Sequence, residues 1–158
     1  VRYAHRWAYG RNPRFYDYEE LGGDCTNFAS QCLYAGTGVM NFTPIFGWYY
    51  LTANDKAPAW TGVPYFYNFL TRQESSPGPM GAECPPEEVL PGDFVQLDFG
   101  AGQFGHTPVI VEVGRPGALD EILVAAHSQD ADYRPVTSYS YHSIRFLHIL
   151  GARLPDMP

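Results

Sequence analysis

The chain has 158 residues, 45% of them hydrophobic, with 16 glycines and 14 prolines. That composition supports one loop-rich folded domain over 1–158 and excludes a disordered or low-complexity chain. Ten Lys and Arg against 17 Asp and Glu leave a net charge of −7 with no basic stripe, which argues against nucleic-acid binding, and no apolar run approaches the about 20 residues of a membrane span.

Val1 already lies inside a patterned segment, which reads as a trimmed or processed start. Tyr3, Ala4, Trp7 and Ala8 fall at helical offsets, so a first amphipathic helix is expected to run to Tyr9 and close at Gly10. Asn12-Pro13 opens an irregular stretch that reaches Gly22-Gly23-Asp24. Cys25, Phe28, Ala29, Cys32 and Leu33 then mark a helix with one buried stripe, stopped by Gly36. Residues 37–62 are aromatic and broken by Gly and Pro, which predicts a long ordered loop. Val63, Phe66, Tyr67 and Leu70 restore helical spacing, with Pro64 suited to a first turn. Residues 73–91 contain five prolines and no apolar period, and are expected to be a connection.

Strand-like runs follow. Residues 93–99 alternate, with Phe94 and Gln96 on one side and Val95 and Leu97 on the other. Residues 107–113 and 121–126 are β-branched or apolar around a turn at Pro116-Gly117, and 144–149 form a last strand. Helices first and strands second predict an α+β domain, N-terminal helices packed on a C-terminal antiparallel sheet.

Cys25, Cys32 and Cys84 are an odd number, which excludes a fully paired disulfide scaffold. Without a C-x-x-C or a close Cys/His pair, neither a zinc site nor another cofactor is expected. Cys25 is the chemically placed thiol. Two glycines before it allow a tight turn and close approach of a substrate, and a helix start supplies unpaired amides that favour a thiolate. The competing reading is a small core residue on the buried stripe. Cys32 and Cys84 read as packing and loop residues.

A nucleophilic cysteine needs a base. His106 opens a strand behind Gly105, and His127 closes the next one. Pairing 106 with 127 places Val113 opposite Asp120 and the turn at 114–119. The two imidazoles then lie side by side, one moving the proton and the other orienting it; a slip of one residue separates them. Asp130 is the rival orienter. Asp24 caps the helix or orients an amide near the oxyanion, for which the Cys25 amide is the expected donor. Trp48 and Tyr49 are candidate cleft walls, with packing as their competing use.

Gly-Gly-Asp-Cys-Thr-Asn-Phe-Ala-Ser-Gln-Cys-Leu-Tyr-Ala-Gly (22–36) resembles the signature of the putative amidase domain family, itself similar to papain-like cell-wall hydrolases of the CHAP and NlpC type. Asn12–Tyr18, Trp48–Tyr50, Gly92-Asp93, His106-Thr107 and Ala126–Ser128 with Asp130 resemble family landmarks in the same order. The resemblance implies a papain-like α+β fold and transfers the roles of nucleophile, base and orienter to Cys25, His106 and His127. It further implies a cysteine amidase or peptidase that works through a thioester, on peptide stems of bacterial cell walls or a related small amide, in a secreted or cell-wall-associated setting; separately from the resemblance, a monomer is expected. The alternative is a silent module with the same fold that binds cell-wall material or peptide.

Overall fold

The computed structural model describes residues 1–156. Met157 and Pro158, which the expected span of 1–158 includes, lie outside the described residues. Helices α1 (Arg2–Trp7), α2 (Cys25–Thr37), α3 (Pro58–Thr61) and α4 (Val63–Leu70) come first in the chain. A small ribbon of β1 (Tyr50–Thr52) and β2 (Asp55–Lys56) interrupts them. Strands β3 (Gly78–Cys84), β4 (Phe94–Asp98), β5 (Val109–Val113), β6 (Ile122–Ala126), β7 (Ala131–Pro135) and β8 (Ser143–Arg153) then build one six-stranded antiparallel sheet, ordered β3-β8-β4-β5-β6-β7. The architecture is α+β.

Helix α2 buries Cys25, Phe28, Ala29, Cys32 and Leu33, the stripe its spacing predicts. It ends two residues later than expected. Gly38, not Gly36, takes the left-handed conformation (φ 69°) and donates its amide to the Tyr34 carbonyl. Thr37 stays helical, with its hydroxyl on the Leu33 carbonyl at 3.0 Å, so the stop falls to the next glycine.

The segment 37–62 is more ordered than a loop. Asn41 and Trp48 form an antiparallel bridge ahead of β1, β2 and α3. Its two tryptophans turn inward: Trp48 and Trp60 are fully buried, 4.7 Å apart, in the cluster between the helices and the sheet. The expected connection at 73–91 contains β3, and the stretch after His127 contains β7. Both are edge strands. Pro79 sits in β3 opposite Ala152, where an outer strand tolerates its missing N–H.

Strand β4 explains how the sheet is held on both faces. Phe94 joins the cluster beneath the helices, while Val95 and Leu97 join a second cluster with Ile110, Ile122, Val124 and Phe146. Gln96, on the helix side, donates to the Val63 carbonyl at the start of α4. The expected two-sided alternation is present.

The β5–β6 register departs from expectation. Val109 faces Ala125 and Ile110 faces Val124; beyond an irregularity, Glu112 faces Leu123 and Val113 faces Ile122. The strands are therefore offset by one to two residues from a 106–127 pairing. Strand β5 starts only at Val109, because Pro108 has no N–H to give, and the Pro108 carbonyl instead accepts from the Val95 amide.

Candidate active site

The turn before α2 is built by Tyr18–Asp24. Gly22 (φ 101°) and Gly23 (φ 108°) both take backbone conformations that side chains resist. A Cβ on Gly23 would also lie 3.2 Å from the Ser128 hydroxyl oxygen. Cys25 thereby becomes the first residue of α2, and the first intrahelical bond runs from the Phe28 amide to the Asp24 carbonyl. The Cys25, Thr26 and Asn27 amides precede it and point out of the helix end.

The second half of the site comes from the sheet. His106 forms a bridge with Leu97: the Leu97 amide donates to the His106 carbonyl, and the Gly105 amide to the Leu97 carbonyl. Beside it, the buried Thr107 hydroxyl meets the Thr26 hydroxyl at 3.2 Å, tying this segment to the first turn of α2. Cys25 and His106 both line one cleft of about 690 Å³. Gly22, Gly23, Glu19, Phe99, Arg134 and Tyr139 share its walls.

Its electrostatics differ from the expected thiolate. Burial pushes the Cys25 thiol up, against hydrogen bonds from Thr26 and Thr107 that act the other way. The sulfur pairs with the Thr26 hydroxyl at 3.6 Å. Burial, reinforced by the Arg134 guanidinium, lowers His106 to about 4. Near neutral pH the cleft therefore holds a thiol and an uncharged imidazole that make no hydrogen bond to each other, and desolvation outweighs the helix-end amides.

His127 is placed away from His106. Its Nδ1 lies 2.5 Å from Asp24 Oδ2 and its Nε2 2.8 Å from the Trp7 carbonyl, and its ring stacks on Phe28 at 3.9 Å. The Trp7 oxygen can only accept, so Nε2 donates to it, and Nδ1 is the atom that pairs with the Asp24 carboxyl group. Continued to the strand ends, the observed register sets His127 level with Thr107, which turns the two histidines to opposite faces. Asp130 is also occupied elsewhere, in a two-point pair with Arg11 at 2.9 and 3.1 Å. Neither of the two expected orienters touches His106. The rings nearest it are Tyr139, 5.5 Å away, and Phe99, 6.0 Å away.

Asp24 does more than cap. It makes no side-chain cap bond; Oδ1 accepts from the Tyr18 amide and Asn27 Nδ2, both at 2.8 Å, and Arg11 Nε lies 3.7 Å from Oδ2. Trp48 and Tyr49 lie outside the cleft. Trp48 donates to the Ser30 hydroxyl within the core, and Tyr49 packs near Phe42 at 5.7 Å. Arg134 and Tyr139, in contrast, line the cleft without any motif to mark them, since they sit on and after an edge strand that shows no clear period.

The model of the putative amidase domain family matches residues 1–150. The chain is 32% identical over 160 residues to the uncharacterized protein YhbB of Bacillus subtilis (strain 168), which covers 95% of this chain and 49% of that protein. The chain thus spans about half the length of this curated relative. No solved structure matches.

Proposed function

The chain belongs to the putative amidase domain family, and from that membership and the cleft we propose a cysteine-dependent amide hydrolase with Cys25 as nucleophile and His106 as its base. The observation that carries the reading is the convergence, in one cleft, of a thiol at a helix start and an uncharged imidazole from the sheet. Neutral His106 takes the thiol proton as Cys25 Sγ attacks the amide carbonyl. The developing oxyanion faces the first-turn amides, Cys25 N–H first. Collapse breaks the C–N bond, and the protonated His106 gives its proton to the leaving amine. Water, deprotonated by His106, then cleaves the thioester. Nucleophile and base make their hydrogen bond as substrate is seated, when such bonds tighten. A thiol at the end of a helix packed on an antiparallel sheet fits a papain-like arrangement, and peptide stems of bacterial cell walls are the substrate class we favour, with a secreted or wall-associated setting.

Alkylation by iodoacetamide, read by mass spectrometry, tests this. With His106 as base, the Cys25 rate rises as pH passes about 4 and then levels off, because the imidazole is uncharged above that point. In His106→Ala the rate is expected to fall about 10²-fold or more near neutral pH and to recover only in alkali. Cys84, half-buried and pushed up to about 11, is the reference thiol. Labelling of Cys25 no faster than Cys84 at every pH overturns the proposal. The raised Cys25 thiol favours one rival, a silent binding module; it predicts retention on cell-wall material that survives Cys25→Ala, with no peptide released by either protein.

A further inference from the structure

We infer that Arg134 and Tyr139 form an anion subsite in the cleft, so that the amide accepted at Cys25 carries a carboxylate close to the bond that breaks. The inference rests on the hydrolase reading only for what happens at the sulfur; the subsite itself stands on charge and hydrogen bonding. Besides Cys25, His106 and Tyr139, two ionisable side chains line the cleft, Glu19 and Arg134. Glu19 is already satisfied, since Oε2 accepts from the Ser128 hydroxyl at 3.0 Å and lies 3.8 Å from Arg11 Nη2. Arg134 has no carboxylate partner among the described residues, although the chain has seven more acidic than basic residues.

The guanidinium is nonetheless held in place. Nε donates to the Ser138 hydroxyl at 2.7 Å and Nη2 to the Ser138 carbonyl at 3.3 Å. Its Cζ lies over the Tyr139 ring, 3.6 Å from the ring centre. These bonds leave the Nη1–Nη2 edge able to take a two-oxygen acceptor. The second observation is Tyr139 itself. The residue is only 8% exposed and lines the cleft; its hydroxyl is closed to solvent, lies against the Arg134 guanidinium, and makes no hydrogen bond of good geometry among the described residues. A buried hydroxyl left unmatched is costly, and a ligand oxygen held by Arg134 would satisfy it once the ring turns that hydroxyl toward the cleft. The charge of Arg134 also reaches His106 and helps to depress it. A bound carboxylate would offset that charge and raise His106 towards its ordinary range, coupling occupancy of the subsite to the strength of the base.

Two near-isosteric pairs of reagents test the subsite at the sulfur: iodoacetate against iodoacetamide, and N-iodoacetylglycine against N-iodoacetylglycinamide. At pH 7 at least one carboxylate reagent is expected to label Cys25 about tenfold faster than its amide. Arg134→Gln is expected to abolish that preference, Arg134→Lys to keep part of it, and Tyr139→Phe to reduce it. Equal labelling within both pairs, or a preference that Arg134→Gln leaves intact, overturns the inference while leaving Cys25 a nucleophile. Should Cys25 resist all four reagents, the hydrolase reading fails, and binding alone decides the subsite. Titration with N-acetylglycine is expected to shift the His106 ring resonances saturably, N-acetylglycinamide to leave them unchanged, and Arg134→Gln to remove the response. A shift common to acid and amide, or none with either, overturns the subsite independently.

Discussion

Asp24 carries the residue-scale argument, because it joins four partners with no solvent exposure. Removing one partner of a buried pair leaves the other uncompensated, at a cost of about 3–5 kcal/mol. Asp24→Ala strands His127, the Tyr18 amide and Asn27 together, and is expected to lower urea stability by that order. Asp130→Ala breaks only the partly exposed pair with Arg11, and less than about 1 kcal/mol is expected. Equal losses in the two variants would contradict the burial assigned to Asp24. His106 yields a pH prediction. Its ring is lowered to about 4 by burial and then by Arg134, whereas in the unfolded chain it titrates near 6.5. Between those values the unfolded chain binds more protons, so stability is complete above pH 6.5 and falls as pH drops, by about 3 kcal/mol at pH 4. His106→Gln is expected to remove that part of the acid sensitivity, measured by urea unfolding at pH 7 and pH 4.

At the scale of elements, the turn joining β6 to β7 braces the turn that presents Cys25. Ser128 (φ 63°) and Gln129 (φ 62°) both take left-handed backbone, as a two-residue hairpin of type I′ requires, although neither is glycine. Ser128 holds its place through the Asp24 amide at 2.9 Å and Glu19. Gln129 has no comparable anchor. Gln129→Gly is therefore expected to raise stability by about 0.5–1 kcal/mol, and Ser128→Gly to lower it despite easing the same backbone strain. Thermal denaturation of the two variants checks the opposite signs. The same region marks where the sequence stops being readable. Helices α2 and α4 and strands β4 to β6 follow from apolar spacing because one or both faces must be buried, and Gly22-Gly23 announces its turn by composition. The edge strands β3 and β7 carry prolines and polar residues that read as loop, and the pairing of His106 with His127 depends on a register that one displaced residue reverses. Cys25 and His106 could be found from local context. Tyr139 and Arg134 reach the cleft only through the return of the chain after β6, which no local spacing encodes.

Across the whole molecule, the aromatic core and the cleft are separate regions joined by α2. Its first residue lines the cleft, while Phe28, Ala29 and Leu33 enter the core that contains Trp48, Trp60, Phe66 and Phe94. Trp48 belongs to that core alone: it is fully buried, stacks with Phe69 at 6.1 Å, and donates to Ser30, whose hydroxyl in turn donates to the Trp60 carbonyl. Trp48→Ala removes a large ring and leaves Ser30 without its indole donor, so a loss of about 3–5 kcal/mol is expected, with the urea midpoint falling and the slope unchanged. The cleft contains none of these atoms, so Cys25 in the variant, kept well below its unfolding temperature, is expected to react with iodoacetamide at the wild-type rate. The opposite pattern, normal stability with slowed labelling, would return Trp48 to the wall of the cleft and separate the core from the site differently.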